Sequence, residues 1–250
     1  MLWWKLLLMP ALIGVVTWAG RRWGPGVIGW LVGLPIVGGP IILFLALEQG
    51  AGFAARAAQG TLVGLVALSA YSLVYAHTSQ RTWWAPSLAG GWMAYFAVAA
   101  LLPMLPTNLA FSAVAGFGAL ALTVRVFPRI TIRDTPIIAP AGEILLRMAA
   151  ATVLLLSITA AANRLGPQWS GIFTPFPVFA SVLPAFTHRG AGGQAAAKQL
   201  RGILLGLYSF ALFFVVVGAM VEVAGIPLTF SIAAASAIAM HAASLRAARR

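Results

Sequence analysis

The chain carries the same pattern twice. Arg22-Trp-Gly-Pro25 is followed by nine residues to Pro35 and later by Arg56-xxx-Gly60-xxx-Gly64-Leu65. Arg164-Leu-Gly-Pro167 is followed by nine residues to Pro177 and later by Lys198-xxx-Gly202-xxx-Gly206-Leu207. Every pair stands 142 positions apart, with no gap. The same offset relates Gly29 to Gly171, Gly50 to Gly192, Ala54 to Ala196, Lys5 to Arg147 and Thr17 to Thr159. A gapless match over about 60 residues is an internal duplication, so whatever one half folds into, the other must also form.

The medium for that fold follows from composition. Of 250 residues, 61% are apolar and only 8% charged, against roughly 25% charged in a soluble domain. Too little polar material is present to cover a water-exposed surface, so the chain reads as a polytopic membrane protein. A span needs about 20 apolar residues to cross a core about 30 Å thick. Nine segments meet this: 2–20, 25–47, 54–76, 83–102, 107–126, 143–162, 167–187, 197–221 and 226–245. The first is read as a retained helix, because its basic pair, Arg21-Arg22, follows the apolar stretch instead of preceding it. Residues 129–140 form the one long polar connection.

Nine spans divide the basic residues unevenly. One face receives Lys5, Arg56 and Arg164, and the other receives the remaining 13 of the 16 lysines and arginines. The positive-inside rule then predicts the N-terminus outside and the C-terminus inside. Residues 1–103 form the first four-helix repeat, 104–142 a linking helix with a cytoplasmic loop, and 143–250 the second repeat. Because a single span separates them, the second copy is upside down relative to the first, an inverted-topology repeat of the kind found in secondary transporters. In plan this is similar to fused eukaryotic fluoride channels, as an analogy of architecture only. The net charge of +12 belongs to the cytoplasmic loops and not to nucleic-acid binding.

The repeating unit resembles the GlpM-like family of small four-span bacterial inner-membrane proteins. The residues that carry the resemblance are Gly171-Ile-Phe-Thr-Pro-Phe-Pro177-Val-Phe-Ala, with Arg201-Gly202 entering span 8; the first copy keeps Gly29, Pro35, Gly50 and Gly60. The resemblance implies an inner-membrane location and leaves the molecular activity open.

Spans 2 and 7 carry proline near their middles, Pro35 and Pro177, followed by Gly38-Gly39-Pro40 in one and by Ser181 and Pro184 in the other. Proline removes a helical hydrogen bond and clashes with the preceding turn. In lipid, broken backbone must line protein or a cavity, so paired interruptions in inverted halves predict a site where spans 2 and 7 cross. Its expected residues are Pro35, Gly38, Gly39, Thr174, Pro177 and Ser181, with Arg56 and Lys198 as cations at opposite mouths, drawing an anion or a lipid phosphate. The competing reading makes the breaks packing kinks and gives Arg56 a partner in Glu48. Gly60 and Gly64, and Gly202 and Gly206, share one helix face each, and are expected to let spans 3 and 8 approach closely.

No carboxylate falls at mid-membrane, which disfavours a proton or sodium carrier built on one. Uncharged groups such as Ser69, Tyr71, Ser72, Tyr208 and Ser209 remain. His77, His188 and His241 stand apart without ligand spacing, the chain has no cysteine, and no nucleophile elbow, phosphate loop or dinucleotide fingerprint occurs. The expectation is therefore an all-α membrane transporter or channel for a small anionic or neutral solute or lipid headgroup, not an enzyme, with no metal and no cofactor. The alternative is a non-transporting membrane subunit, paired with itself or with a partner of a membrane complex.

Overall fold

A computed structural model describes residues 22–106, 108–132, 141–165 and 177–248, with single positions before residue 22. All of the regular structure among the described residues is helical. In chain order it comprises α1 (Pro25–Val32), α2 (Gly38–Gln49), α3 (Ala51–Thr78), α4 (Trp84–Ala99), α5 (Leu109–Arg125), α6 (Ala141–Leu165), α7 (Val178–Ala191), α8 (Gly193–Met220) and α9 (Ile226–Ala248). Span 1, the 133–140 stretch and the first half of span 7 lie outside the described residues.

The duplication is visible in the backbone. α3 and α8 start and stop 142 positions apart, and each is entered through one glycine in the left-handed region. Gly50 has φ 87° and ψ 166°, and Gly192 has φ 85° and ψ 170°. Only glycine adopts such a conformation without a Cβ penalty, so each lets a helix end and the next begin within one residue. One hydrogen bond after the proline repeats as well. Residues 33–37 form a turn between α1 and α2, after which the Gly39 N–H donates to the Pro35 carbonyl at 2.8 Å. In the second copy Pro177 precedes α7, and the Ser181 N–H donates to the Pro177 carbonyl, also at 2.8 Å.

Four helices are long and apolar enough to cross a membrane, and they form two repeat pairs. α3 and α8 are 28 residues each; α4, continued by a 3-10 turn to Met104, and α9 are the second pair. Half of the apolar window of α3 and of α8 is buried, against 22% in α4 and α9, so the first pair is central and the second peripheral. Met93 of α4, Val114 and Leu122 of α5, and Ile238 of α9 turn outward. An apolar exterior of that extent is what a bilayer solvates and water does not. Among the described residues the chain is all-helical, with four helices long and apolar enough to cross a membrane, as a membrane protein requires.

The central pair runs antiparallel. Near one end, Ala58 of α3 lies beside Gly218 of α8; near the other, the Ser79 hydroxyl donates to the Gly193 carbonyl at 3.2 Å. α5 has no repeat partner and packs on both members, with Gly116 against Leu62 of α3 and Phe117 against Tyr208 of α8.

One expectation is corrected here. Gly202 and Gly206 do not meet Gly60 and Gly64; they accept α1. A Cβ on Gly202 would strike the Gly26 carbonyl, one on Gly206 the Trp30 carbonyl, and one on Gly33 the Gly206 backbone. Gly60 is exposed, with open space where a Cβ would go, and Gly64 is buried. The expected crossing of spans 2 and 7 involves the first half of span 7, which lies outside the described residues. Span 2 belongs to the first repeat yet lies along α8 of the second, because facing glycines let those two backbones touch. The two copies are interleaved, and the centre is α3 against α8.

Candidate functional site

The surroundings of Pro35 and Pro177 share the hydrogen bond that follows the proline and differ in chemistry. At the first, α2 leans on α8: a Cβ on Gly38 would meet the Phe210 ring at 2.9 Å, and one on Gly39 the Phe213 ring at 3.4 Å. Phe210 and Phe214 pack with ring centroids 4.6 Å apart, and Phe213 and Phe214 at 5.4 Å. Pro35 is half-buried. This break is filled with aromatic side chains.

The second break is polar. Ser181 is buried one turn into α7, and its hydroxyl accepts from the Trp92 indole N–H of α4 at 2.9 Å. The Tyr71 hydroxyl of α3 donates to the Ala180 carbonyl, also at 2.9 Å. Gly91, next to Trp92, makes room for the Tyr71 ring, since a Cβ there would lie 2.8 Å from it. One turn along α3, the Tyr75 hydroxyl stands 3.4 Å from Nδ1 of buried His188 at the far end of α7. Beside His188, the Thr187 hydroxyl is fully buried and makes no hydrogen bond. The file ends on Gln194 of α8, which donates to the Gln80 side chain at 3.0 Å and accepts from the Thr131 N–H at 2.9 Å.

The 142-residue offset shows what changed between the copies. Tyr71 corresponds to Phe213, Tyr75 to Val217, Ser181 to Gly39, His188 to Ala46 and Trp92 to Ala234. Tyr71 bonds the carbonyl of Ala180, next to Ser181, where the Phe213 ring covers Gly39 in the other copy, so hydroxyls are found at this contact on one side only. A hydrogen-bonding lining with no formal charge, held inside apolar helices, suits a neutral polar molecule, or an anion solvated by O–H and N–H dipoles.

The first copy's interrupted span has its own anchor. Trp30 of α1 stacks on His241 of α9 with ring centroids 3.8 Å apart, and its N–H donates to the Ser244 hydroxyl at 2.8 Å. His241 Nδ1 lies 2.9 Å from the Ser209 hydroxyl, which itself donates to the Gly206 carbonyl. Here three helices are tied at one point, a fastening more than a site.

The remaining expected residues are dispersed. Thr174 lies outside the described residues. Pro177 is buried at the start of α7. Arg56 and Lys198 stand at opposite ends, as the antiparallel central pair requires. Arg56 shares the space beside Gly52 with Glu222 and not with Glu48: Glu222 Oε1 and Arg56 Nη1 lie 3.1 and 3.7 Å from where a Gly52 Cβ would be. Lys198 donates to the Ile132 carbonyl at 3.0 Å.

Trp92, Tyr75 and His188 were not among the expected site residues. The signal that finds them is a comparison of the copies position by position, asking where a polar residue replaces an apolar twin. No family model, curated protein or solved structure matches the chain, so the resemblance to the GlpM-like unit is carried by its own glycine and proline pattern alone.

Proposed function

We propose that the chain is a carrier of a bacterial inner membrane, handling a small neutral or anionic solute at the polar break around Ser181. The observation that carries this reading is the asymmetry of the copies: the contact of Gly39 with the Phe213 ring in one is replaced by Ser181 among Tyr71 and Trp92 in the other. Hydroxyl and indole groups buried in a membrane protein are costly unless paired, and here they are gathered at one interrupted helix. The Trp92 donor is spent on the Ser181 hydroxyl and the Tyr71 donor on the Ala180 carbonyl in this arrangement, so we read the state as closed, and a solute would exchange with these two bonds. Such exchange is the behaviour of an alternating carrier and not of an open pore.

Purified protein in proteoliposomes tests it, with glycerol, chloride and inorganic phosphate as probes. Flux of one of them is expected, and Ser181→Ala combined with Trp92→Phe should lower it about tenfold, the scale of one or two lost buried hydrogen bonds. Gly39→Ala, at the aromatic twin, should leave it unchanged. The filled first break favours a second reading, a non-transporting subunit. Silence to every probe, together with a partner that stays bound in fixed ratio, would establish that reading instead.

Orientation is part of the proposal. One end of the bundle gathers Gln80, Thr131, Gln194 and Lys198, next in sequence to Arg81 and Arg129, and this basic end is assigned to the cytoplasm. The chain has no cysteine, so single introduced thiols report directly. Thr82→Cys should react with an impermeant maleimide only after the membrane is opened, and Val223→Cys in intact cells. The reverse pattern would invert the assignment.

A further inference from the structure

We infer that the solute at the polar break is a neutral molecule that donates a hydrogen bond to the Ala180 carbonyl, as an alcohol or an amide does, and not an anion. This rests on the carrier reading and narrows it. Pro184 lies inside α7. Having no N–H, it cannot donate to the carbonyl four residues back, and its ring crowds that carbonyl. The carbonyl is that of Ala180, which is 3% exposed, so bulk water does not supply the missing donor. The donor comes from another helix: Tyr71 of α3, itself fully buried, gives its hydroxyl hydrogen to the Ala180 oxygen at 2.9 Å.

The first copy carries neither half of this pair. At the 142-residue offset Pro184 corresponds to Ile42, which has the N–H that proline lacks, and Tyr71 corresponds to Phe213, which has no hydroxyl. Pro40 falls in the first turn of α2, where N–H groups have no helical partner to lose. The open carbonyl and the hydroxyl that closes it therefore occur together in one copy and are absent together from the other. Ser181, the next residue, adds a second acceptor, filled by the Trp92 N–H at 2.9 Å. A solute that displaces both bonds meets two acceptors, the Ala180 carbonyl and the Ser181 oxygen, beside two donors, Tyr71 and Trp92. A carbonyl can only accept. Chloride, with nothing to donate, would leave the Ala180 carbonyl bare and set negative charge beside its oxygen. Phosphate would bring that charge as well, and none of the four groups is a cation. An alcohol or an amide supplies donor and acceptor together.

Pro184→Ala separates a binding role from a packing role, because alanine returns the N–H and lets α7 close its own carbonyl. The melting temperature should hold or rise, while glycerol flux into proteoliposomes, above that of protein-free vesicles, should fall about tenfold, the scale of one lost buried hydrogen bond. A proline needed only for packing would not lower flux in a protein of equal or greater stability. Tyr71→Phe should lower the melting temperature by about 4 °C in the wild type and by less than about 1 °C in Pro184→Ala, whose carbonyl no longer needs the hydroxyl. Glycerol should be carried, and chloride and inorganic phosphate excluded. Carriage of chloride or phosphate in place of glycerol overturns the assignment and leaves the carrier reading standing; silence to all three overturns both. Glycerol flux that Pro184→Ala leaves undiminished, or an equal loss from Tyr71→Phe in the two backgrounds, also overturns the role of the Ala180 carbonyl.

Discussion

Gly33→Ala should unseat α1 from α8 and cost about 3 kcal/mol or more, the upper range for forcing a methyl into a filled contact. The added Cβ would sit on the Gly206 backbone, with the Leu207 nitrogen 2.7 Å away. A long side chain could swing aside; a helix backbone cannot, because its own hydrogen bonds hold it. The collision repeats along the seam, with Gly29 facing the Gln199 carbonyl and Gly202 the Gly26 carbonyl. At about 2–4 °C per kcal/mol for a chain of this size, the melting temperature should fall by roughly 10 °C. Trp30 gives a local readout, since pulling α1 away ends its stacking on His241 and should change its fluorescence. Gly60→Ala is the matched comparison. It alters the corresponding stripe on α3, where nothing lies within 4 Å, and alanine's better helix propensity should leave stability unchanged or slightly raised. Equal melting of the two variants would mean the seam is not close-packed in solution.

The same seam shows what was legible before any coordinates. An i, i+4 glycine spacing identifies a helix face but says nothing about which helix meets it. Gly202 and Gly206 were readable as a contact stripe; that they accept α1 depends on the interleaving of the copies, which no periodicity records. Gly26, Gly29 and Gly33 do form a matching stripe on span 2, and pairing stripes with stripes would have suggested the contact. Helix limits were more accessible, because duplication supplies each boundary twice: Gly50 and Gly192 mark the same turn in both copies. The break after Gly33 followed from proline chemistry alone. The polar file was only partly visible. Ser181 and Tyr71 were noticed as hydroxyls, whereas His188 stood without a carboxylate or ligand spacing and Trp92 sat within an apolar span. Only packing brings the Trp92 nitrogen to the Ser181 oxygen across 89 positions of sequence.

Glu143→Gln should be the most damaging change to charge among the described residues. Arg147 is 1% exposed, and its Nη2 and Nε both donate to Glu143 Oε1, at 2.7 and 3.2 Å. Its guanidinium also lies 5.6 Å from the centroid of the Phe186 ring on α7. A glutamine keeps the size of the partner and removes its charge, leaving a buried cation without compensation. Breaking such a pair from one side typically costs about 3–5 kcal/mol, and the lower part of that range is expected here because Glu143 is 20% exposed. The double variant Glu143→Gln with Arg147→Met should recover most of the loss, since replacing both charges removes the desolvation penalty along with the attraction. Melting temperatures of the two single variants and the double one close a cycle, and a coupling below about 0.5 kcal/mol would mean the pair acts independently and the argument fails. The functional consequence runs through Phe186. α6 and α7 meet at this cation, and α7 carries Ser181 one turn after its break, so losing the pair should loosen the helix that presents the site.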